Sequence, residues 1–165
     1  MKKIVIVGGV AGGMSAATRL RRLDATAEII VLEKSGHVSY ANCGLPYYVG
    51  GVIETEDALL LQTPDSLHKR FRLDVRIASE ALSINRALKT IAVRNLLTGE
   101  EYELNYDKLV LSPGASPIRP NFPGSERAMT LRTVEDVERI ALAVTDKPKS
   151  AVVIGGGFIG VEIAE

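Results

Sequence analysis

The first 32 residues alternate uninterrupted apolar runs with one amphipathic stretch. Residues 3–7 and 27–32 are almost continuous runs of apolar and β-branched side chains, which predict strands buried on both faces of a parallel sheet. Between the runs, Ala16 and Leu20 recur at helical spacing, and residues 11–23 therefore predict a helix. The order strand, helix, strand indicates a βαβ unit and an α/β fold.

The hydrophobic period changes to two between residues 74 and 111. Apolar and polar residues alternate there in short runs, separated by the typical turn sequences Asn85-Arg86 and Thr98-Gly99. This pattern predicts a strand followed by an antiparallel β-meander. Residues 108–112, with the apolar run Leu109-Val110-Leu111 at their centre, predict a further buried strand.

Polar and proline signals mark further helices. Thr63 and Pro64 predict an N-cap and a first helical position, and Leu67 lies on the buried side of that helix. Residues 44–49 predict a short helix and residues 134–144 an amphipathic one. The fold class expected is therefore α/β, with a Rossmann-like parallel sheet and an inserted antiparallel β-meander.

Composition narrows the range of partners. The chain of 165 residues is 46% hydrophobic, which is enough for a sizeable core. Twenty basic residues balance twenty acidic ones, so no net field attracts nucleic acid or an anionic membrane. The apolar run near Met1 is too short for a signal sequence or a membrane span, and we therefore expect a cytoplasmic protein. Cys43 is the only cysteine, which excludes an internal disulfide.

A glycine-rich turn follows the first predicted strand. The spacing G-x-G-x-x-G falls on Gly8, Val10 and Gly13, with valine in place of the middle glycine. Such a turn before a helix brings backbone N–H groups and the positive end of the helix dipole close to a pyrophosphate. Glu33, at the tip of the second predicted strand, is placed to accept hydrogen bonds from a ribose. Together these features favour dinucleotide binding over a purely structural turn.

A second strand, glycine and helix pattern closes the chain. Residues 151–154 predict a buried strand, and Gly155, Gly157 and Gly160 occupy all three glycine positions of the motif. Two such signatures indicate two nucleotides or a repeated fold. Because the sequence stops at Glu165, within the second predicted helix, we expect a fragment of a longer protein.

Cys43 lies in a stretch of small and polar residues before the predicted short helix. A thiol at or just before a helix N-terminus has its thiolate favoured by the helix dipole and the free amides. Asn42 and Ser39 can hydrogen-bond the sulfur or a substrate. The alternative interpretation is that Cys43 is a small buried hydrophobic residue, as free cysteines usually are.

Three segments occur together in this chain: Gly8-Gly9-Val10-Ala11-Gly12-Gly13, Glu33-Lys34 and Ser39-Tyr40-Ala41-Asn42-Cys43-Gly44-Leu45-Pro46-Tyr47-Tyr48. Together they resemble the single-cysteine branch of the FAD-dependent pyridine nucleotide-disulfide oxidoreductases, within it the coenzyme A-disulfide reductases and NADH-dependent persulfide reductases. Glutathione reductase-like members carry two cysteines five positions apart, whereas Tyr48 stands five positions after Cys43. The resemblance therefore implies that the redox partner of Cys43 is external or the sulfur itself.

The resemblance implies FAD at the first glycine-rich turn and NADH or NADPH at the second. It assigns residues 1–148 to the FAD-binding domain and residues 149–165 to the truncated beginning of an NAD(P)H-binding domain. The implied FAD-binding residues are Gly8, Gly9, Val10, Ala11, Gly12, Gly13, Glu33, Lys34, Asn42, Cys43, Ala81, Ser112, Pro113, Gly114 and Arg132. The implied NAD(P)H-binding residues are Gly155, Gly157, Phe158, Ile159, Gly160 and Glu162. No metal site is implied.

For the intact protein, the resemblance implies electron transfer from NAD(P)H through FAD to a catalytic Cys43, with Asn42 and Ser39 beside the thiol. The implied substrate is coenzyme A disulfide, a persulfide or a related small disulfide, and the implied assembly is a homodimer. Phosphates of a coenzyme A substrate need cations, for which Arg19 and Arg22 are the candidates, with Ser39 and Asn42 as further substrate contacts. Solvated helix-end arginines are the alternative interpretation. We expect the fragment alone to be inactive.

Three other functions stay open. An NADH oxidase or peroxidase would carry Cys43 as a sulfenic acid, with oxygen or peroxide as the acceptor. A ferredoxin-type reductase would not need the thiol. An inert nucleotide-binding module would use neither the thiol nor electron transfer. The sequence Asn-Cys-Gly-Leu-Pro-Tyr around the cysteine favours thiol substrates over the oxidase or peroxidase function.

Overall fold

The computed structural model describes residues 1–145 and 150–165, which fall into two compact units. The first unit contains residues 1–40 and 62–114, and the second contains residues 41–61 together with the described residues from 115 onwards. The domain boundary expected between residues 148 and 149 lies outside the described residues and stays a prediction.

Strands and helices follow each other as the α/β prediction requires. The strands of the described chain are β1 (Lys3–Val7), β2 (Glu28–Leu32), β3 (Asp74–Arg76), β4 (Ser79–Asn85), β5 (Thr90–Asn95), β6 (Glu101–Asn105) and β7 (Lys108–Leu111), all in the first unit. The α-helices of the described chain are α1 (Ala11–Leu23), α2 (Leu45–Val49), α3 (Pro64–Phe71), α4 (Val134–Thr145) and α5 (Phe158–Ala164). Helices α1 and α3 belong to the first unit, and the other three belong to the second.

A parallel sheet forms the centre of the first unit, with the strands in the order β3, β2, β1, β7. Successive side chains of a strand point to opposite faces, so the central strands β1 and β2 contribute to two cores. On one face, Ile6 and Val31 pack with Met14 of α1. On the other face, Val5 packs with Ile91 of β5. Strands β1 and β2 are therefore covered on both faces, as predicted. Strand β7 is at the edge of the sheet and has Leu111 57% exposed, so the prediction of a buried strand at residues 108–112 is correct for the strand and wrong for its burial.

Strands β4, β5 and β6 form the predicted antiparallel meander. The side-chain oxygen of Asn85 accepts hydrogen bonds from the N–H groups of Ala87 and Leu88, at 3.1 Å each, and so closes the first turn. Gly99 closes the second turn with a φ of +76°, in the left-handed region that glycine favours. Both turn predictions are confirmed.

Helix α3 is capped at its N-terminal end, and its C-terminal end is bonded to the C-terminal end of α1. At the start of α3, Thr63 and Ser66 form a capping box, which confirms the predicted N-cap. At the end of α1, the Arg21 guanidinium donates hydrogen bonds to the carbonyl oxygens of Phe71, at 2.8 Å, and Arg72, at 2.9 Å. This contact, which the hydrophobic pattern did not predict, ties the C-terminal ends of the two helices together.

The second unit is built around the cysteine segment. A 3-10 helix over Asn42–Gly44 runs directly into α2, which packs against α4 and α5. The N–H of Ala41 donates to the carbonyl of Leu59 at 2.9 Å and closes the segment into a loop. The short and the amphipathic helix predicted for this region are both confirmed. None of the described helices is long and apolar enough to span a membrane.

The buried strand predicted at residues 151–154 is wrong for this chain. These residues form no strand in the described structure, and Val152 has 86% of its surface exposed. A buried parallel strand needs paired neighbours and two covered faces. Among the described residues no strand pairs with this segment, and its valine and isoleucine side chains stay 41–86% exposed.

Candidate functional site

The first glycine-rich turn requires glycine at two positions for steric reasons. Gly8 has a φ of +99°, and a Cβ atom there would lie 1.9 Å from the backbone oxygen of Ser112. A Cβ atom on Gly13 would lie 1.7 Å from the backbone oxygen of Gly8. Neither position accepts a side chain. The turn therefore has the tight bend and the close helix packing of a dinucleotide-binding loop.

Val10, which replaces the middle glycine of the motif, has a φ of −102°. Because this φ is negative, the position does not require the left-handed conformation that favours glycine. The backbone of the turn therefore accepts valine in place of the middle glycine of the motif. Gly12 stands close to β7, because a Cβ atom there would lie 3.3 Å from the Ser112 hydroxyl oxygen.

Helix α1 starts at Ala11, and no side chain bonds to the N–H groups of its first turn or places a negative charge beside them. Within its described residues there is no side-chain N-cap hydrogen bond and no acidic side chain in the first turn. The first N–H groups of a helix have no partner inside it, and they carry the positive end of its dipole. This helix start can therefore hold an anionic group such as a pyrophosphate.

Glu33 is buried at the end of β2 and supports the glycine-rich turn directly. Its Oε2 accepts a hydrogen bond from the N–H of Gly9 at 2.6 Å, and its Oε1 accepts one from the N–H of Ser35 at 2.8 Å. An ionised carboxylate has about four acceptor positions, so capacity for a ribose hydroxyl is left. The position of Glu33 in the sequence predicted only a contact with the ribose and gave no signal for this structural role.

Lys34 follows with its ammonium group 2.7 Å from the Glu80 carboxylate. The hydrogen bond from Lys34 lowers the pKa of Glu80 from its ordinary value. Glu80 precedes Ala81 in β4, so the ion pair joins the tip of β2 to the strand that carries this candidate. Lys34 and Ala81, both predicted to bind FAD, therefore lie in one connected part of the first unit.

Other predicted residues of the first unit gather at the same turn. Ser112, followed by Pro113 and Gly114, donates its N–H to the carbonyl of Val7 at 2.8 Å. The N–H of Ser39 donates to the carbonyl of Gly9 at 2.9 Å. The end of β7 and the segment before the cysteine therefore both contact the glycine-rich turn.

Arg19 and Arg22 are exposed on α1, three residues apart and thus on one side of the helix. In the part of the chain that the structure describes, neither guanidinium has a hydrogen bond or an ion pair. Their neighbour Arg21 is the arginine with the structural role. Arg19 and Arg22 are therefore free to bind an anionic ligand.

Cys43 lies in the 3-10 helix of the second unit, and its side chain is exposed. This exposure contradicts the interpretation of Cys43 as a small buried hydrophobic residue. The preceding side chain, Asn42, has its Oδ1 atom buried without a hydrogen-bond partner among the described residues. A buried acceptor without a donor is energetically costly, so Oδ1 is suited to receive an N–H or O–H group from a ligand.

The second glycine-rich turn repeats the backbone of the first. Gly155 has a φ of +113°, and a Cβ atom on Gly160 would lie 2.1 Å from the backbone oxygen of Gly155. Gly157 and Phe158 are exposed, as is Ile159. These candidates therefore form an open turn and the start of a helix.

Glu162 and Arg132 contact other parts of the second unit. The Tyr47 hydroxyl lies 3.5 Å from Glu162 Oε1, a contact between α2 and α5 that no sequence signal indicated. Arg132 donates its Nε–H to the carbonyl of Ala115 at 3.2 Å, and its backbone N–H to Asp136 at the start of α4. The role of Arg132 in binding FAD stays a prediction.

A parallel sheet with a glycine-rich turn after its first strand, a helix after the turn and an acid after the second strand defines a Rossmann-type α/β protein. The chain belongs to the pyridine nucleotide-disulphide oxidoreductase family, whose model matches residues 2–165.

Individual relatives agree with this assignment. The chain is 43% identical over 166 aligned residues to a coenzyme A disulfide reductase of Staphylococcus epidermidis, covering 100% of this chain and 38% of that protein. Among solved structures it is similar to reduced CoADR-RHD of Bacillus anthracis, with a TM-score of 0.97, 54% identity, and coverage of 99% of this chain and 30% of that one. It is also similar to an NAD-dependent persulfide reductase from A. fulgidus, with a TM-score of 0.93, 41% identity, and coverage of 99% and 31%. The chain thus spans less than two fifths of the curated relative's length.

Proposed function

We propose that the intact protein is a flavoprotein oxidoreductase that passes electrons from NAD(P)H through FAD to Cys43, which reduces a small disulfide or persulfide. The observation that carries this proposal is the exposed Cys43 thiol directly after Asn42, whose buried Oδ1 lacks a partner in the described chain. An accessible sulfur beside an unused hydrogen-bond acceptor is suited to bind and attack a substrate.

FAD would be held at the first glycine-rich turn. The start of α1 is open to the pyrophosphate, and Glu33 retains acceptor capacity for the ribose. The tight positions Gly8 and Gly13 fit this group, because they keep the helix start close to β1. When bound, the flavin supplies the two-electron chemistry that amino-acid side chains lack.

The nicotinamide nucleotide would be held at the second turn of the intact protein, through Gly155, Gly157, Phe158, Ile159, Gly160 and Glu162. The backbone of Gly155 and the close packing of Gly160 support this assignment. Binding experiments that compare NADH with NADPH directly measure which of the two nucleotides this turn prefers.

Cys43 acts as the nucleophile. Its thiolate attacks one sulfur of the disulfide, the S–S bond breaks, and the first thiolate leaves and takes a proton from solvent. A mixed disulfide between Cys43 and the second half of the substrate remains. Two electrons, which NAD(P)H would supply through the flavin, then break the S–S bond of this mixed disulfide, so that the second half leaves as a thiolate, takes a proton from solvent, and the Cys43 thiolate is restored. Asn42 and Ser39 would orient the substrate during these steps.

Coenzyme A disulfide or a coenzyme A persulfide is the proposed substrate. Arg19 and Arg22 support it, because they present two unpaired positive charges on one side of α1. The names of the relatives, a coenzyme A disulfide reductase and a persulfide reductase, point the same way. A homodimer is the proposed assembly of the intact protein.

The test compares the intact protein with its Cys43→Ser variant, with coenzyme A disulfide, oxygen and peroxide as acceptors. We expect the variant to lose nearly all disulfide reduction, while flavin content stays the same. Disulfide reduction at the native rate by the variant would refute the thiol mechanism and favour a ferredoxin-type reductase. Faster NADH oxidation with oxygen or peroxide than with the disulfide would favour the oxidase or peroxidase alternative.

A further inference from the structure

The carboxylate of Glu33 holds both ends of the loop formed by residues 35–39. Its Oε1 accepts the N–H of Ser35 at 2.8 Å, at the start of the loop, and its Oε2 accepts the N–H of Gly9 at 2.6 Å. The carbonyl of Gly9 in turn accepts the N–H of Ser39 at 2.9 Å, at the end of the loop. We propose that Glu33, through the Gly9 peptide, is a positioning residue for Ser39. The inference rests on the proposed function, because that function gives Ser39 its contact with the substrate.

Ser39 has a backbone conformation that needs such support. Its φ is +49°, in the left-handed region that residues other than glycine rarely adopt. Among the other described non-glycine residues with a positive φ, Arg72 caps the end of α3 and Lys89 lies in the turn between β4 and β5, where this conformation is common. Ser39 neither ends a helix nor closes a hairpin. A strained residue persists only where its surroundings hold it, and such residues cluster at functional sites.

Further contacts hold the same loop. A Cβ atom on Gly9 would lie 2.9 Å from Val38 Cγ1 and 3.0 Å from Glu33 Cβ, so the turn packs directly between the acid and the end of the loop. Val38 is itself buried in the core. At the start of the loop, the carbonyl of Ser35 accepts the N–H of Ala78 at 3.0 Å. The Glu33 carboxylate is the one side-chain hydrogen-bond acceptor among these contacts, and a single substitution alters it.

Glu33→Gln tests this role, because the two oxygens of the carboxylate serve two different N–H groups. A carboxamide offers one acceptor oxygen, and its NH₂ group is a donor. Either the N–H of Gly9 or that of Ser35 therefore loses its acceptor, and one end of the loop is released. Asp107→Asn is the matched control. The Asp107 carboxylate also accepts a backbone N–H, that of Lys3 at 2.7 Å, at the other end of β1.

The first measurement is hydrogen–deuterium exchange of the Ser39 amide in the intact protein saturated with FAD. Exchange needs neither substrate nor turnover. We expect Glu33→Gln to speed exchange of this amide by about three- to tenfold, the effect of weakening one hydrogen bond. Asp107→Asn should keep the rate within about twofold of the native value. A native rate of exchange in Glu33→Gln overturns the inference.

The second measurement separates kcat from KM for coenzyme A disulfide, again at saturating FAD, so that weaker flavin binding does not enter. Glu33→Gln should raise KM by about three- to tenfold and change kcat by less than about twofold. If Glu33 acted only on the fold or on the ribose, stability and flavin affinity would change and this KM would not. In a Ser39→Ala background, Glu33→Gln should raise KM by less than about twofold, since the hydroxyl that it positions is gone.

The outcomes separate this inference from the function on which it rests. Faster exchange at Ser39 with an unchanged KM overturns the role of Glu33 in substrate binding. An equal effect of Glu33→Gln on KM with and without the Ser39 hydroxyl overturns the path through Ser39. A native protein that does not reduce coenzyme A disulfide refutes the proposed function, whereas the exchange rate of the Ser39 amide still decides whether Glu33 holds this residue.

Discussion

The two glycine-rich turns share their backbone geometry and differ in their surroundings. Gly8 and Gly155 both have a φ near +100°, at +99° and +113°, and each lies under a glycine of the following helix. Gly8 is enclosed by Ser112, whereas a Cβ atom on Gly155 would meet nothing within 4 Å among the described residues. The conformation of such a turn is therefore local, whereas its burial depends on the strands that flank it.

The acids near the two turns show the same difference. Glu33 is buried and accepts two backbone hydrogen bonds, one of them from the turn itself. Glu162 is partly exposed and receives one long contact from a tyrosine hydroxyl. The first turn is thus part of a packed core, and the second is a surface feature of its unit. Matched substitutions at equivalent positions test this difference.

The largest effect is expected at the glycines. Gly8→Ala should lower the free energy of unfolding by about 4 kcal/mol or more, because the new Cβ atom meets backbone in addition to the strained φ. Gly155→Ala has the strained φ without the clash and should cost about 1–2 kcal/mol. Urea unfolding followed by circular dichroism measures both variants. Equal losses would contradict the difference in enclosure between the two turns.

A smaller effect is expected at the apolar residues three positions before each turn. Val5 is fully buried, whereas Val152 is 86% exposed. Val5→Ala should therefore cost about 2 kcal/mol through lost burial and a residual cavity. Val152→Ala should stay within about 0.5 kcal/mol of the native value. A cost above 1 kcal/mol at Val152 would indicate that residues 151–154 are buried after all.

The smallest effect is expected at the acids. Glu33→Gln removes the charge from two hydrogen bonds to backbone N–H groups and should cost about 1–2 kcal/mol. Glu162→Gln should alter stability by less than about 0.5 kcal/mol, since its contact is long and exposed. Thermal unfolding of the two variants at neutral pH gives the comparison. A greater loss for Glu162→Gln would reverse the proposed ranking of the two sites.

The parts of the fold that the sequence predicted are those set by local pattern. The bounds of β1, the meander turns and the Thr63 cap follow from the hydrophobic period and from turn and capping residues. The strand at residues 151–154 was wrong because a strand also needs partners, which a local pattern does not contain. An apolar run alone therefore predicts that a segment can form a strand. It does not predict whether a neighbouring strand is present to pair with it.

The candidate site shows the same limit. Glycine spacing predicted the two turns, and the small polar setting of Cys43 predicted a redox thiol, whose reactivity stays a prediction. The support that Glu33 gives to Gly9, the anchoring role of Arg21 and the contact between Tyr47 and Glu162 were all missed. Each joins residues that are distant in sequence, so only the folded chain brings the partners together.

The central claim, that Cys43 exchanges electrons with a flavin in the intact protein, is tested most directly by absorption spectroscopy. If Cys43 starts as a mixed disulfide with coenzyme A, reduction with one equivalent of NADH should cleave that disulfide and produce a long-wavelength charge-transfer band between the Cys43 thiolate and oxidised flavin. Coenzyme A disulfide should remove the band, and Cys43→Ser should lack it at equal flavin content. A native protein with bound flavin and no thiol-dependent band would contradict the account.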